Sequence, residues 1–522
     1  MSTPAAAVAA APAPLKGGAL VLGTLALSLA TFMNVLDSSI ANVSLPAISG
    51  DLGVSTTQGT WVITSFGVAN AISVPLTGWL TRRFGAVRLF TASVLLFVLA
   101  SWLCGFAHSL EMLVFCRVLQ GLVAGPMIPL SQTLLLSSYP PAKAGTALAL
   151  WGMTTLVAPV VGPLLGGWIT DNVSWPWIFY INVPVGLIAA FLTWSIYRDR
   201  ETPTAKLPID GVGLALLVIW VGALQVMLDK GKELDWFASG EIQLLGVTAL
   251  VGFVIFLIWE LTDDHPVVDL RLFARRNFLF GALTLSVAYG LFFGNVVLLP
   301  LWLQQWMGYT ATDAGMALAP VGLLAILLSP VVGKNVSRFD PRLMASFAFV
   351  MFAVVLGMRS NFTPQTDFGT IMIPTVLQGA ALAFFFIPLT TLTLSGIPPE
   401  RIAAAAGLSN FVRITAGAMG TSISTTVWEN RATLHHHHLV ERLGQGDPVA
   451  GETLSRLAAA GLSPEQALAQ INRLIDQQAF TRAADDIFLA SAVLFLLLIA
   501  SIWLTRRPAR MAGAPVDAGG AH

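Results

Sequence analysis

Three charged residues lie well inside apolar stretches of the sequence and are the first candidates for chemistry. They are Asp37, Arg117 and Arg413, whereas the other charges fall at the borders of such stretches or between them. An ionisable side chain at bilayer depth costs about 2.5 to 3.5 kcal/mol on insertion scales, so such residues usually pair, line a cavity or carry protons. A carboxylate and a guanidinium in separate stretches could pair, and the carboxylate could bind a proton.

The composition identifies the molecule that must position these residues. Of 522 residues, 55% are hydrophobic and only 11% are charged, and the mean hydropathy is +0.75, whereas a soluble domain is typically about 25% charged. This is an integral membrane protein. Its 28 basic and 28 acidic residues give no net basic field that would indicate a nucleic acid partner. Cys104 and Cys116, the only cysteines, predict small packing residues and no disulfide framework or cysteine-based zinc site.

Fourteen apolar stretches have the length of a membrane-spanning helix, which is about 20 residues. They cover residues 20–43, 61–80, 89–107, 113–136, 145–169, 175–196, 212–228 and 244–259, and six more begin near residues 278, 314, 343, 368, 402 and 488. The eleventh is the shortest.

The distribution of basic residues predicts the orientation. Most of them lie in the N-terminal tail, the even-numbered connectors and the C-terminal tail, while the short odd-numbered connectors hold only Lys230, Lys232 and Arg359. Because basic residues accumulate on the cytoplasmic side, both termini are predicted to be cytoplasmic. Residues 1–19, rich in Ala and Pro, predict a disordered cytoplasmic tail, and residues 505–522 a second cytoplasmic tail.

An internal repeat divides the chain into two halves. The second connector, GWLTRRFGAVR, aligns with the tenth, GKNVSRFDPR, so that Gly78 matches Gly333 and Arg83 matches Arg338. This predicts an N-terminal six-helix bundle (20–197), two inserted transmembrane helices (208–260) and a C-terminal six-helix bundle (278–504). Parallel six-helix repeats are a transporter plan in which substrate binds between the halves. A chance match of two short basic loops is the alternative.

The fifth span reads VAPVVGPLLGGWI and crowds small and helix-bending residues together. They are Pro159, Gly162, Pro163, Gly166 and Gly167. The glycines permit a neighbouring backbone to approach closely, and the prolines remove helix hydrogen bonds and permit a kink. Tight helix packing alone would also explain the pattern.

Four motifs together resemble one family. GPLLGG, after Ala158 and Pro159, resembles the antiporter motif of the drug:H⁺ antiporters of the major facilitator superfamily. LDSSIANVSLP with Asp37, FCRVLQGLVAG with Arg117 and Gln120, and WPWIFYINVPVG resemble the first, fourth and sixth helices of its fourteen-span, EmrB/QacA-like branch. The resemblance covers nearly the whole chain. It implies an all-α major facilitator superfamily fold with 14 transmembrane helices, and a multidrug exporter closest to the EmrB type.

The second connector departs from the general superfamily pattern. Its predicted cytoplasmic gating residues are Gly78, Arg82, Arg83, Gly85 and Arg88. The superfamily has an acidic residue where this chain has Arg82 and a basic one where it has Ala86. EmrB-like members resemble this chain in having a basic residue at the position of Arg82, so the departure points to this subgroup of the superfamily. It puts in doubt that this loop acts as a charge relay.

The resemblance implies that Asp37 carries the proton and that Arg117 is its electrostatic partner, with a permanent structural salt bridge as the alternative. No phosphate-binding G-x-x-x-x-G-K-[ST] loop occurs, nor H-E-x-x-H or G-x-S-x-G. We therefore expect no enzyme and no cofactor, and a proton gradient as the energy source. One proton crossing about 100 mV yields about 2.3 kcal/mol, and each pH unit adds about 1.4 kcal/mol.

Further polar residues in the spans are candidates for the substrate cavity, although each could instead be a helix-packing hydrogen bonder. They are Asn34, Gln120, Gln132, Asn295, Gln304, Gln378 and Arg413. Arg413 could contact substrate, bind helix carbonyls or pair with an acidic group.

The longest polar segment, 429–486, is predicted to be extracytoplasmic. Ser463, Pro464 and the apolar spacing that follows predict a helix start. By resemblance, the segment could contact a periplasmic membrane-fusion adaptor of EmrA type that works with an outer-membrane channel; a solvated cap is the alternative. His435 to His438 give little indication of metal, and no metal site is predicted.

The sequence thus predicts a proton-driven exporter of amphipathic or hydrophobic compounds in the bacterial inner membrane, acting by alternating access. The alternatives are an exporter of a native metabolite such as fatty acids, and a proton-independent facilitator. An intramembrane enzyme is disfavoured by the missing motifs.

Overall fold

The computed structural model describes residues 13–54, 56–140, 143–205, 208, 210–336, 338–442 and 448–507. The outer parts of the two predicted tails, 1–12 and 508–522, lie outside these ranges. All regular elements in the described ranges are helical. Thirteen helices there are long and apolar enough to cross a membrane, and the helix Ala144–Asn172 lies where the fifth span is predicted. The architecture therefore agrees with fourteen transmembrane helices.

The helices are labelled in chain order. They are α1 (Gly17–Asp51), α2 (Trp61–Phe84), α3 (Ala86–Gly105), α4 (Leu110–Ser138), α5 (Ala144–Asn172), α6 (Trp177–Arg200), α7 (Gly211–Lys230), α8 (Gly240–Thr262), α9 (Arg276–Trp306), α10 (Asp313–Asn335), α11 (Pro341–Arg359), α12 (Phe368–Leu394), α13 (Ile402–Arg442) and α14 (Pro464–Trp503). A shorter helix, Pro448–Ala459, precedes α14.

Each half of the chain buries its own apolar cluster. In the first half, Phe90, Phe97 and Leu130 belong to one such cluster. In the second, Phe352 and Phe385 belong to a larger one. Lipid provides no hydrophobic driving force between helices, so the helices of a membrane bundle associate through close packing. The many glycines at helix contacts permit this close packing.

The two inserted helices join both halves. Helices α7 and α8 pack on each other, and α7 also packs on α2. One apolar cluster combines Leu217 of α7 and Phe256 of α8 with Val74 of α2, Phe278 of α9 and Phe411 of α13. Helices α7 and α8 are therefore in contact with both halves through this cluster.

Several boundaries differ from the sequence-based expectation. Helix α1 begins at Gly17, inside the predicted 1–19 tail. The predicted 429–486 loop is largely helical, because α13 continues to Arg442 and α14 begins at Pro464, capped by Ser463 as predicted. The hydropathy of a sequence indicates where a helix leaves the membrane, but a helix can continue beyond that point into a polar segment.

Candidate functional site

Asp37 and Arg117 form a buried ion pair in the first half. Asp37 lies on α1 and Arg117 on α4, and Arg117 Nη1 donates to Asp37 Oδ2 over 2.5 Å. Both side chains are at most 1% exposed. The structure thus brings together the two charges that the sequence predicted as partners.

Amide side chains complete the surroundings of the Asp37 carboxylate. Oδ1 accepts from Gln120 Nε2 over 3.0 Å and from Asn182 Nδ2 over 2.8 Å. Both amides also donate to Ser101 Oγ of α3, over 2.8 and 2.9 Å. Side chains of four helices, α1, α3, α4 and α6, therefore form one hydrogen-bonded network around this carboxylate.

Arg117 has partners of its own besides Asp37. Its Nε donates to the backbone oxygen of Val62 over 3.0 Å, and its Nη1 also donates to Gln120 Oε1 over 2.7 Å. The guanidinium lies 4.2 Å above the ring of Phe66, a cation–π arrangement that stabilises a buried cation. Arg117 is therefore held by several groups besides the Asp37 carboxylate.

The glycine-rich face of α5 packs on α1 one turn beyond Asp37. An ideal Cβ at Gly162 would lie 2.6 Å from Ser39 Oγ, and one at Gly166 would lie 2.6 Å from Ile40 Cγ1 and 3.1 Å from its backbone oxygen. Only glycine permits this approach. Gly167 has more room, since the nearest atom, of Val43, would be 3.9 Å away. The side chains of Pro159 and Pro163 lie outside what the structure describes, so the predicted kink stays a prediction.

A second polar cluster lies between the two halves. Arg413 Nη2 of α13 donates to Asn410 Oδ1 over 2.6 Å, and Asn410 Nδ2 donates to Gln132 Oε1 of α4 over 3.3 Å. The Arg413 guanidinium lies 4.5 Å from the ring centre of Tyr289. These groups line a small cleft together with Trp151, Phe386, Thr390 and Ser409, among others. The structure therefore places Gln132 and Arg413 at an interface between the halves.

The remaining cavity candidates are distributed more widely. Asn34 donates to the backbone oxygen of Ala124 over 3.1 Å, and Asn295 donates to Ser491 Oγ over 3.1 Å. Both are helix-packing contacts within one half. Gln304 is exposed near the end of α9. None of these three is a lining residue of the cleft at Arg413.

Gln378 binds an arginine that the sequence assigned to a connector. Arg359, the last residue of α11, is 1% exposed. Its Nη2 donates to Gln378 Oε1 over 2.7 Å and to Thr375 Oγ1 over 3.2 Å. Its place at the end of a span gave no indication that the side chain would fold back into the bundle.

The repeated connectors mark two equivalent crossings between the halves. An ideal Cβ at Gly78 of α2 would lie 2.6 Å from Ala404 Cβ of α13. In the other crossing, an ideal Cβ at Gly333 of α10 would lie 2.5 Å from the backbone oxygen of Gly145 of α5. Gly78 and Gly333, which align in the sequence, thus each lie at a close contact between a helix of the first half and a helix of the second.

An acidic residue from the sixth connector binds the gating loop. Gly85 has φ +90°, and a Cβ there would lie 2.4 Å from the Glu201 carboxyl. Glu201 accepts the backbone N–H groups of Val87 and Arg88 over 3.0 and 2.9 Å, at the start of α3. The Arg88 Nε lies 4.0 Å from Glu201. Arg82 contributes its backbone oxygen to Ala205 N, and Arg83 forms a further contact.

The histidine run lies on the part of α13 that extends beyond the predicted span. His435 Nε2 lies 2.8 Å from Asp486 Oδ2, and His436 Nδ1 lies 2.8 Å from Asp476 Oδ1. Arg431 also pairs with Asp486. These contacts join α13 to α14, and within the described ranges no group of three or more ligating side chains could hold a metal ion.

Sequence reasoning missed several residues of these clusters. Asn182 lies in the quoted WPWIFYINVPVG motif but was not singled out, and Ser101 and Asn410 are small polar residues of a kind common in spans. Their contribution becomes visible only when α3, α6 and α13 are packed. The motif position of Asn182 was the one signal available.

Comparison with known proteins places this arrangement in a family. The model of the Major Facilitator Superfamily matches residues 27–421. The chain is 54% identical over 510 residues to the multidrug export protein EmrB of Escherichia coli (strain K12), with 98% of this chain and 99% of that protein covered. It is 52% identical over 500 residues to the fatty acid resistance protein FarB of Neisseria gonorrhoeae, with 96% and 99% covered.

A solved structure also matches. The crystal structure of the human organic anion transporter MFSD10 has a TM-score of 0.57 and 14% sequence identity, with 93% of this chain and 100% of that chain covered. At this identity the match concerns the fold alone.

Proposed function

The chain belongs to the major facilitator superfamily as a multidrug exporter of the EmrB type, and we propose that protons entering through Asp37 drive the export of amphipathic or hydrophobic compounds. Members of this family are transporters and not enzymes. The 54% identity to EmrB over nearly the whole chain supports the substrate class.

The observation that carries the proton step is the double set of partners at the Asp37 and Arg117 pair. The carboxylate has two amide donors besides the guanidinium, and the guanidinium has two oxygen acceptors besides the carboxylate. After protonation of Asp37, its Oδ1 would keep two amide donors and Arg117 would keep two neutral acceptors, so protonation costs less here than at a pair without other partners. This favours an exchangeable pair over a permanent salt bridge.

Protonation would then act on the contact between α1 and α5. Ser39 and Ile40 follow Asp37 on α1 and fill the glycine face of α5. A neutral Asp37 releases the electrostatic hold of α4 on α1, so α1 can shift against α5. Since α5 also crosses α10 at Gly145, such a shift reaches the interface at which the halves rock in alternating access.

The cleft at Arg413 is the proposed substrate contact. It combines the aromatic rings of Trp151 and Phe386 with the polar groups of Gln132, Asn410 and Arg413. Apolar walls with few polar groups are typical of small-molecule sites. In the closed packing seen here the cleft is small, and separation of the halves would enlarge it.

Fatty acids or another anionic amphiphile are the second candidate for substrate. Arg413 forms no ion pair among the described residues, so its charge is free to attract a carboxylate. The 52% identity to FarB points to the same class. A proton-independent facilitator remains the alternative mechanism.

We propose the bacterial inner membrane as the location, with both termini cytoplasmic and no cofactor. The distribution of basic residues supports this orientation. The helical hairpin formed by the ends of α13 and α14 then extends outside the cytoplasm, where it could bind a membrane-fusion adaptor of EmrA type that leads to an outer-membrane channel.

Uptake into inverted membrane vesicles under an imposed pH gradient tests the proposal, with a panel of cationic, neutral and fatty-acid substrates. Wild-type protein should accumulate at least one class, and Asp37→Asn should not. Wild-type uptake by Asp37→Asn under the gradient would refute the proton role. Uptake that is unaffected when the gradient is collapsed would favour the facilitator.

A further inference from the structure

Two buried acidic side chains meet at one end of the inserted helices. Asp210 caps the start of α7, where its Oδ1 accepts from Gly213 N over 2.8 Å. Glu260 lies in the last turns of α8. Asp210 is 9% exposed and Glu260 is 0% exposed.

The two carboxyl groups converge over a single glycine. An ideal Cβ at Gly213 would lie 2.1 Å from Asp210 Oδ2 and 2.6 Å from Glu260 Oε1. The space that a side chain would occupy is thus filled by the two oxygens. Both atoms point into the same small volume between α7 and α8.

The hydrogen bonds leave one oxygen of this pair without a donor. Trp259 Nε1 donates to both oxygens of Asp210, over 3.1 and 3.0 Å, and Val268 N donates to Glu260 Oε2 over 3.0 Å. Glu260 Oε1 is buried and has no hydrogen-bond partner in the structure.

The charged groups nearby do not compensate the pair. Asp263, just beyond α8, adds a further negative charge. The Arg271 guanidinium donates to the backbone oxygen of Asp263 over 3.5 Å, and Arg401 pairs with Asp269 over 3.6 Å. In the ranges that the structure describes, neither Asp210 nor Glu260 has an ion-pair partner.

Elementary electrostatics decides between the possible charge states. Two ionised carboxylates that converge on one buried volume repel each other strongly, and a buried carboxylate oxygen without a donor adds a desolvation cost. One proton removes the repulsion and turns Glu260 Oε1 into a donor. Such a pair titrates as a unit that shares one proton.

We propose that Asp210 and Glu260 form a proton-binding site separate from Asp37, in which one proton is shared between Glu260 Oε1 and Asp210 Oδ2. The site lies on the side of the gating loop, since Trp79 of α2 donates to the backbone oxygen of Pro208. Asp210 is the more exposed of the two, at 9% against 0% for Glu260, so the proton would reach solution past Asp210. Loss of the proton drives the start of α7 and the end of α8 apart and so loosens the cluster that joins both halves.

Infrared spectroscopy of the full-length protein in lipid tests this directly. The carbonyl stretch of a protonated carboxylic acid should be present at pH 7 and should disappear as the pH rises. The contribution of the pair is isolated as the difference between the wild-type and Glu260→Gln spectra. Asp210→Asn should lose the same contribution, because the new amide donates to Glu260 Oε1 and lets it ionise. Glu241→Gln is the matched control, an exposed carboxyl on the same helix, and should keep the band.

The variants also have an expected folding behaviour. Glutamine at 260 can donate to Asp210 as the protonated acid does, so Glu260→Gln should unfold at the wild-type temperature at pH 7. The absence of a protonated carboxyl band from the difference spectrum between wild type and folded Glu260→Gln would overturn the proposal, since Asp37 and other carboxyls cancel in that difference. Should the variants not fold, absence of a protonated carboxyl band from the wild-type protein at pH 7 would overturn it equally.

Discussion

Neutralising both members of the Asp37 and Arg117 pair should separate its structural role from its role in transport. Asp37→Asn alone leaves a guanidinium facing an amide N–H₂ group at a site that is at most 1% exposed. The double variant Asp37→Asn with Arg117→Gln removes both charges. We expect the double variant to be more stable than Asp37→Asn and yet inactive under a pH gradient.

The magnitude follows from the contacts. Removing one partner of a buried ion pair typically costs about 3 to 5 kcal/mol. Asn at position 37 keeps an oxygen that can accept from Gln120 and Asn182, and Arg117 keeps Val62 and Gln120, so we expect the lower end, about 3 kcal/mol. The double variant has no uncompensated buried charge, which is the main cost of removing one partner, so most of this loss should be recovered.

Thermal unfolding of purified protein, followed by tryptophan fluorescence, measures the stability of each variant. Uptake into inverted vesicles measures transport driven by the pH gradient. Arg117→Gln alone completes the cycle. A double variant no more stable than Asp37→Asn would show that the two side chains are not coupled. A double variant that still accumulates substrate under a pH gradient would refute Asp37 as the proton carrier.

Two further predictions concern the glycine face and the second repeated connector. Gly162→Val should push α5 away from Ser39, lower the free energy of unfolding by about 1 to 3 kcal/mol and reduce uptake. Gly152→Ala, where a Cβ meets no atom within 4 Å, should change neither stability nor uptake. Equal effects of the two substitutions would contradict the close-packing argument. The hydrogen bond from Arg342 holds the pKa of the Asp340 carboxyl below its ordinary value, so its stabilisation, of order 1 kcal/mol, is present above pH 4 and is lost as pH falls through the lowered folded value. Asp340→Asn should therefore unfold at a lower temperature than wild type at pH 7, and this difference should shrink as the pH falls below the ordinary carboxyl pKa of 3.8. A difference that stays constant over this range would exclude this cause.

The sequence predicted the ion pair because its members are rare. Charges inside apolar stretches are costly, and Asp37 and Arg117 stood alone in the first half. Their polar partners were not distinguishable in the same way. Ser101 and Asn182 are neutral and small, and such residues occur in many spans as packing hydrogen bonders, so their convergence on Asp37 depends on the packed arrangement.

Charges at the ends of spans were the least predictable. Hydropathy places Arg359 and Glu260 at membrane borders, where long side chains usually reach toward water. In the structure Arg359 turns inward to Gln378, and Glu260 turns to Asp210. The direction in which such a side chain points depends on which neighbouring residue leaves space for it, and for Glu260 this residue is Gly213. The spacing of residues along the sequence does not contain this information.

Proton release on substrate binding tests the central claim most directly. A substrate identified by the vesicle panel is added to purified protein in weakly buffered solution, and a pH indicator records the protons released. If Asp37 exchanges its proton for substrate, wild-type protein should release about one proton per bound molecule, and Asp37→Asn should bind substrate without release. Equal release from both proteins would contradict the account.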